Sequence, residues 1–212
     1  MTALLDYLFS QFDGYTPLFL TLEITAIFFG MLSVIYSARN SILVYPTGLV
    51  STVIYVYILY TADLYGDLII NVYYFYMSCY GWILWSRKDR YNHDLLKISR
   101  ATAKDNLKVL TIFVVSVIFV SGVYYWFGML NKWWAYVDTF ITGLFFIGMW
   151  LLAKRKIENW LYLIAGDIIA IPLFFYKGLI FSGFFYMGLT TVAVFGYLSW
   201  KRTLEQEEIA EA

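Results

Sequence analysis

The sequence predicts an all-α polytopic membrane protein, with seven transmembrane helices in a three-plus-one-plus-three parallel-repeat arrangement, N-terminus outside and C-terminus inside. Three observations carry that fold class. The 212 residues are 61% hydrophobic and only 14% charged, where soluble domains run near 25% charged. Seven apolar stretches, near 18–38, 41–60, 67–86, 109–127, 134–153, 157–176 and 179–200, approach the roughly 20 residues that cross a hydrocarbon core of about 30 Å. A single shift of 115 residues then aligns the first three stretches with the last three.

Under that shift Gly81 falls on Gly196, Trp82 on Tyr197, Trp85 on Trp200, Glu23 on Asp138, Arg39 on Lys154 and Tyr45 on Trp160. The matches are sparse, but one shift serves all three helices of each half. One linker helix between the triplets makes both cross in the same sense, which is a parallel repeat about an axis along the membrane normal. The expected organisation is a three-helix bundle over 18–86, a basic cytoplasmic loop and linker helix over 87–127, a second bundle over 134–200, and a cytoplasmic tail over 201–212.

Orientation follows from Lys and Arg in the loops. With the N-terminus outside, the cytoplasmic side holds Arg39, seven basic residues from Arg87 to Lys108, Lys154 to Lys156, and Lys201 with Arg202, which makes 13. The other side holds Lys132 and Lys177 alone. Seven basic residues at a cytoplasmic boundary are what orientation requires, so no nucleic-acid partner is expected.

Little else offers chemistry. Cys79 is the single cysteine and His93 the single histidine, so neither a disulfide framework nor a metal site is expected. His93 reads as a solvated loop residue. The opening "MTALLDYLFSQFDGYT" lacks the basic and small-residue features of a removable signal peptide. No phosphate loop, H-E-x-x-H or supported triad occurs, which excludes the common enzyme classes and any cofactor they would bring.

Asp167 is the exception. It sits within "ENWLYLIAGDIIAIP", near the middle of an apolar run, where an ionisable residue costs about 2.5–3.5 kcal/mol on insertion scales and usually faces a cavity or a partner. Trp160, Leu163, Asp167 and Phe174 share one helical face. A carboxylate between aromatic surfaces suits a flat cationic ligand. The bland reading is a packing contact for Asp167 and an interfacial belt position for Trp160. Asn71, with donor and acceptor in one amide, fits a ligand's polar edge or an interhelical clamp. Tyr186 is its counterpart under the shift, and Tyr45 joins the ligand-facing candidates as the counterpart of Trp160. Glu23 and Asp138 read as structural ties at helix ends, or as attractors of a cation. Pro46, Gly48 and Pro172 are the expected points of give.

The segments "LEITAIFFG", "YGWILW" and "KIENWLYLIAGDIIAIPLFFYKG" resemble the Pnu family of bacterial vitamin transporters across essentially the whole chain. The resemblance implies a three-plus-one-plus-three fold in the inner membrane, with one vitamin held between the triplets. It implies uniport, a facilitated diffusion in which a cytoplasmic kinase traps the product without required contact, and it makes a homotrimer an expected partner state. The riboside-carrying branch has a sixth-helix pattern of Trp, Trp, Asn or Asp, and Tyr. In this sequence those positions are Trp160, Leu163, Asp167 and Phe174, so the first and third match while the second and fourth depart.

Leu163 removes one flat wall and makes room for methyl-bearing rings, which favours thiamine, a permanent cation. The alternative is nicotinamide riboside. A sugar-type facilitator ranks third, because a neutral sugar gives no reason for a midplane carboxylate.

Overall fold

The computed structural model describes residues 16–61, 65–88, 90, 95–177 and 180–211. They form seven helices: α1 (Pro17–Ala38), α2 (Val44–Thr61), α3 (Tyr65–Trp85), α4 (Ala103–Trp126), α5 (Trp133–Ala153), α6 (Asn159–Tyr176) and α7 (Ile180–Glu211). Each expected stretch is one of them. His93, and nearly all of the N-terminal segment read for a signal peptide, lie outside the described residues. By length and composition α1, α2, α4, α5 and α6 are apolar enough to cross a membrane. α3, rich in tyrosine, is of similar length, and α7 runs past its apolar stretch into a charged one.

Local chemistry fixes the helix ends. Thr16 caps α1 by accepting from the Phe19 amide at 3.3 Å, with Pro17 at the first helical position. α4 starts before the apolar stretch does, because Thr102 and Asp105 close a capping box there: the Thr102 amide donates to Asp105 Oδ2 at 2.9 Å, and the Asp105 amide donates to Thr102 Oγ1 at 3.3 Å. α7 runs on through the segment read as a tail, which is helical as far as Glu211. Pro46 lies in the first turn of α2, where a missing N–H costs nothing. Gly48 is a close-packing position, since a Cβ there would stand 3.0 Å from Ser33 Oγ.

Neighbour contacts close a ring, α1–α2–α3–α5–α6–α7 and back to α1, with α4 packed outside it, mainly on α5. α5 is the most buried of the apolar helices, whereas α1 and α4 bury few of their residues, as a lipid-facing surface requires.

Two helix ends that lie 115 positions apart share one local turn. Asn40 and Arg155, 115 positions apart, have φ of 52° and 50°, the left-handed conformation that ends α1 and α5. Each is followed by the same turn bond, from the Ser41 amide to the Tyr36 carbonyl and from the Lys156 amide to the Leu151 carbonyl, both at 2.9 Å. The basic segment straps onto the second of these turns. The Ser99 amide donates to the Arg155 carbonyl and the Ile157 amide to the Ser99 carbonyl, each at 3.0 Å. The Arg155 guanidinium donates to the Leu96 carbonyl and lies 4.0 Å from the Trp85 ring.

Candidate functional site

All six ring helices border a cavity of about 420 Å³, within the usual range of roughly 300–1,000 Å³ for small-ligand sites. Five of the six candidate residues line it: Asn71 from α3, Trp160, Leu163 and Asp167 from α6, and Tyr186 from α7. Their spacing along α6 explains the shared face, and the closed ring brings Asn71 and Tyr186 round to it.

Tyr45 is the correction. It does not border the cavity; it is 2% exposed, edge-on to Trp85 at 5.1 Å and pressed against Gly81, where a Cβ would stand 2.3 Å from its ring. Trp160 is built in the same way, edge-on to Trp200 at 5.6 Å, with a Cβ at Gly196 reaching 2.6 Å from its ring. Trp160 still forms part of the cavity wall. Together Tyr45, Trp85, Trp160 and Trp200 seal the end of the ring next to the basic loops, none of them more than 2% exposed.

Asp167 is 4% exposed. Thr190 lies beside its carboxyl, but the Thr190 hydroxyl donates to the Tyr186 carbonyl at 2.8 Å. One hydroxyl proton cannot satisfy both acceptors, so the carboxyl retains capacity for a further donor or a cation. Among the described residues that border the cavity there is no Lys, Arg or His, and no group of potential metal ligands occurs.

Next to Asp167 three rings lie nearly parallel. Tyr186 is 4.9 Å and 17° from Phe174, and 5.9 Å and 8° from Phe145. Sequence reasoning missed Phe145, which sits in the apolar run from Leu144 to Ile147. The available signal was Gly166, beside Asp167: a Cβ there would stand 2.5 Å from the Phe145 ring, so glycine is what allows that ring to lean across α6. Leu163 is held from behind, its side chain lying over Gly148 on α5, where a Cβ would meet it at 2.6 Å.

Asp138 and Lys177 border a second cavity of about 360 Å³ that shares Asn71, Tyr74, Phe145, Phe174 and Tyr186 with the first. Asp138 Oδ2 accepts from the Tyr124 hydroxyl at 2.6 Å and from Lys177 Nζ at 3.1 Å, tying α4, α5 and the end of α6. Glu23, its counterpart, is half-buried with no hydrogen bond to Oε2.

The comparisons with known proteins agree with this architecture. The family described as "Nicotinamide mononucleotide transporter" matches residues 20–202. The nicotinamide riboside transporter PnuC of Escherichia coli (strain K12) is 24% identical over 193 residues, covering 81% of each chain. The riboflavin/roseoflavin transporter RibM of Streptomyces davaonensis is 24% identical over 125 residues, covering 58% of each. A crystal structure of the vitamin B3 transporter PnuC superposes with a TM-score of 0.66 at 23% identity, covering 96% of this chain and 90% of that one.

Proposed function

The chain belongs to the nicotinamide mononucleotide transporter family, and on that premise we propose that it carries nicotinamide riboside into the cell. It is a multi-pass protein of the bacterial inner membrane. The observation that carries the substrate reading is the chemistry of the central cavity: a buried carboxyl, flat rings, and no basic side chain along its described wall. A pyridinium ring gains from both the carboxyl and the ring faces. A phosphate would enter this cavity next to Asp167 with no cation to pair it, and an unpaired buried charge is costly. The riboside therefore fits better than the mononucleotide in the family's description.

The preference for thiamine rested on Leu163, and it finds no support in the relatives, whose names favour the riboside over thiamine. The position of Leu163 has a packing reason instead, its contact with Gly148. In the proposed complex the ring lies against the Phe174–Tyr186–Phe145 stack with its charge toward Asp167. Asn71 meets the ribose or the amide, and Trp160 closes the cavity from below.

The finer organisation belongs to the same proposal. α1–α3 and α5–α7 act as two triplets related by a parallel repeat, with α4 as linker, which the recurrent turn at Asn40 and Arg155 supports. The 13-to-2 bias in basic residues supports a cytoplasmic location for the sealed end. Rocking of one triplet on the other would open that seal, and transport is uniport with kinase trapping. Assembly as a homotrimer rests on the family resemblance.

Uptake into proteoliposomes tests the substrate. Labelled nicotinamide riboside is expected to enter saturably without an imposed ion gradient, while the mononucleotide stays out. Asp167→Asn is expected to weaken riboside uptake at least about tenfold, the value of one charge contact in a poorly solvated site. Uptake of thiamine or the mononucleotide with the riboside ignored would sink the reading.

A further inference from the structure

The second cavity lies beside the N-terminal end of α5, on the far side of the Tyr186–Phe174 rings from Asp167, and its volume of about 360 Å³ is in the range of an independent ligand site. Its polar groups form an unusual set. The Lys177 ammonium stands 4.3 Å from the Trp134 ring centroid and 5.7 Å from that of Phe174, while bonding Asp138 at 3.1 Å. An aromatic face with a carboxylate is a cation site, and here the protein's own cation fills it.

We propose that this cavity is a second, transit site for a flat cationic heteroaromatic ring, which exchanges with the Lys177 ammonium for the Trp134 face and the Asp138 carboxylate. The proposal rests on the riboside reading for its natural ligand, but the exchange itself requires only a pyridinium.

Three features favour exchange over a fixed tie. Lys177 follows the last residue of α6, so its four-carbon stem can swing the ammonium out to water at the helix end. Asp138 keeps the Tyr124 hydroxyl at 2.6 Å whichever cation it faces, so the carboxylate stays in place during the exchange. The other half of the repeat has an acid at the matching position, Glu23, but Ala62 in place of the lysine, so the repeat geometry does not itself call for the pair. A delocalised pyridinium also sheds water more readily than a compact ammonium and covers more of the indole face. From this site the ring has only to pass Phe174 and Tyr186, which border both cavities, to reach Asp167.

Calorimetric titration of the detergent-purified full chain with 1-methylnicotinamide, a simple pyridinium, tests this, with uncharged nicotinamide as control. Two classes of site are expected for the cation. Lys177→Met is expected to tighten the weaker class about tenfold by removing its competitor. Asp138→Asn is expected to abolish it, and Asp167→Asn to remove the other class only. A structural salt bridge predicts the opposite pattern: Lys177→Met and Asp138→Asn would then lower binding in parallel or leave it unchanged, and either result overturns the transit site. Riboside uptake separates the two ideas. Uptake that persists with no gain from Lys177→Met sinks the transit site and spares the substrate reading. A Lys177-dependent pyridinium site in a protein that does not carry the riboside does the reverse.

Discussion

Trp85 and Trp200, 115 positions apart, meet with ring centroids 6.1 Å apart, and each donates its indole N–H to the opposite half of the molecule. Trp85 Nε1 bonds the Ala153 carbonyl at the end of α5 at 3.2 Å, and Trp200 Nε1 bonds the Ser37 carbonyl near the end of α1 at 3.0 Å. The two bonds cross the seal in reciprocal directions.

Replacing either indole by Phe keeps a ring but removes one buried hydrogen bond, a net cost of about 0.5–1.5 kcal/mol. Trp85→Phe and Trp200→Phe are each expected to lower the unfolding temperature in detergent, by similar amounts. A drop in only one of them would show that the halves do not carry equal load at the seal.

Gly196 exists because Trp160 lies on it. A Cβ there would stand 2.6 Å from Trp160 Cη2 and Cζ2, so Gly196→Ala overpacks the seal at a cost of about 1–3 kcal/mol. Phe at position 160 lacks those outer indole atoms. The double variant Gly196→Ala with Trp160→Phe is therefore expected to recover part of the lost thermal stability. No recovery would mean that the α6–α7 backbones, not the ring, limit the space.

Tyr186 is central to the ring stack, 4.9 Å from Phe174 and 5.9 Å from Phe145. If it serves as an aromatic platform, Tyr186→Phe retains riboside affinity and Tyr186→Leu loses about tenfold, near the worth of two aromatic pairs at roughly 0.5–1.5 kcal/mol each. Equilibrium binding decides the matter. Equal losses in both variants would assign the role to the hydroxyl.

Much of this was legible because the bilayer leaves so few options. Only helices satisfy their own backbone in hydrocarbon, so apolar stretches translate directly into α1 to α7. Asp167 declared itself by its cost in that setting, and helical spacing put Trp160 and Leu163 on its face. Tyr45 failed for a reason that periodicity cannot reveal. It has the same local surroundings as Trp160, a glycine and a tryptophan on the next helix, but α2 meets the cavity further along, at Ser51, Thr52 and Tyr55. Phe145 was missed because an apolar residue that borders a cavity and one that faces lipid read alike.

The sequence by itself determined the helices, the 115-residue spacing that sets Gly81 against Gly196 and Trp85 against Trp200, and the mid-helix acid, Asp167, that had to find a cavity. These follow from hydropathy, spacing and the price of a buried carboxyl, all of which are local. Only the tertiary structure decided that the ring closes through α1 with α7 and α3 with α5, which rings stack beside Asp167, and that Lys177 lies over Trp134. Those outcomes depend on how side chains from distant helices fill one space, and close packing is a property of the whole assembly rather than of any segment.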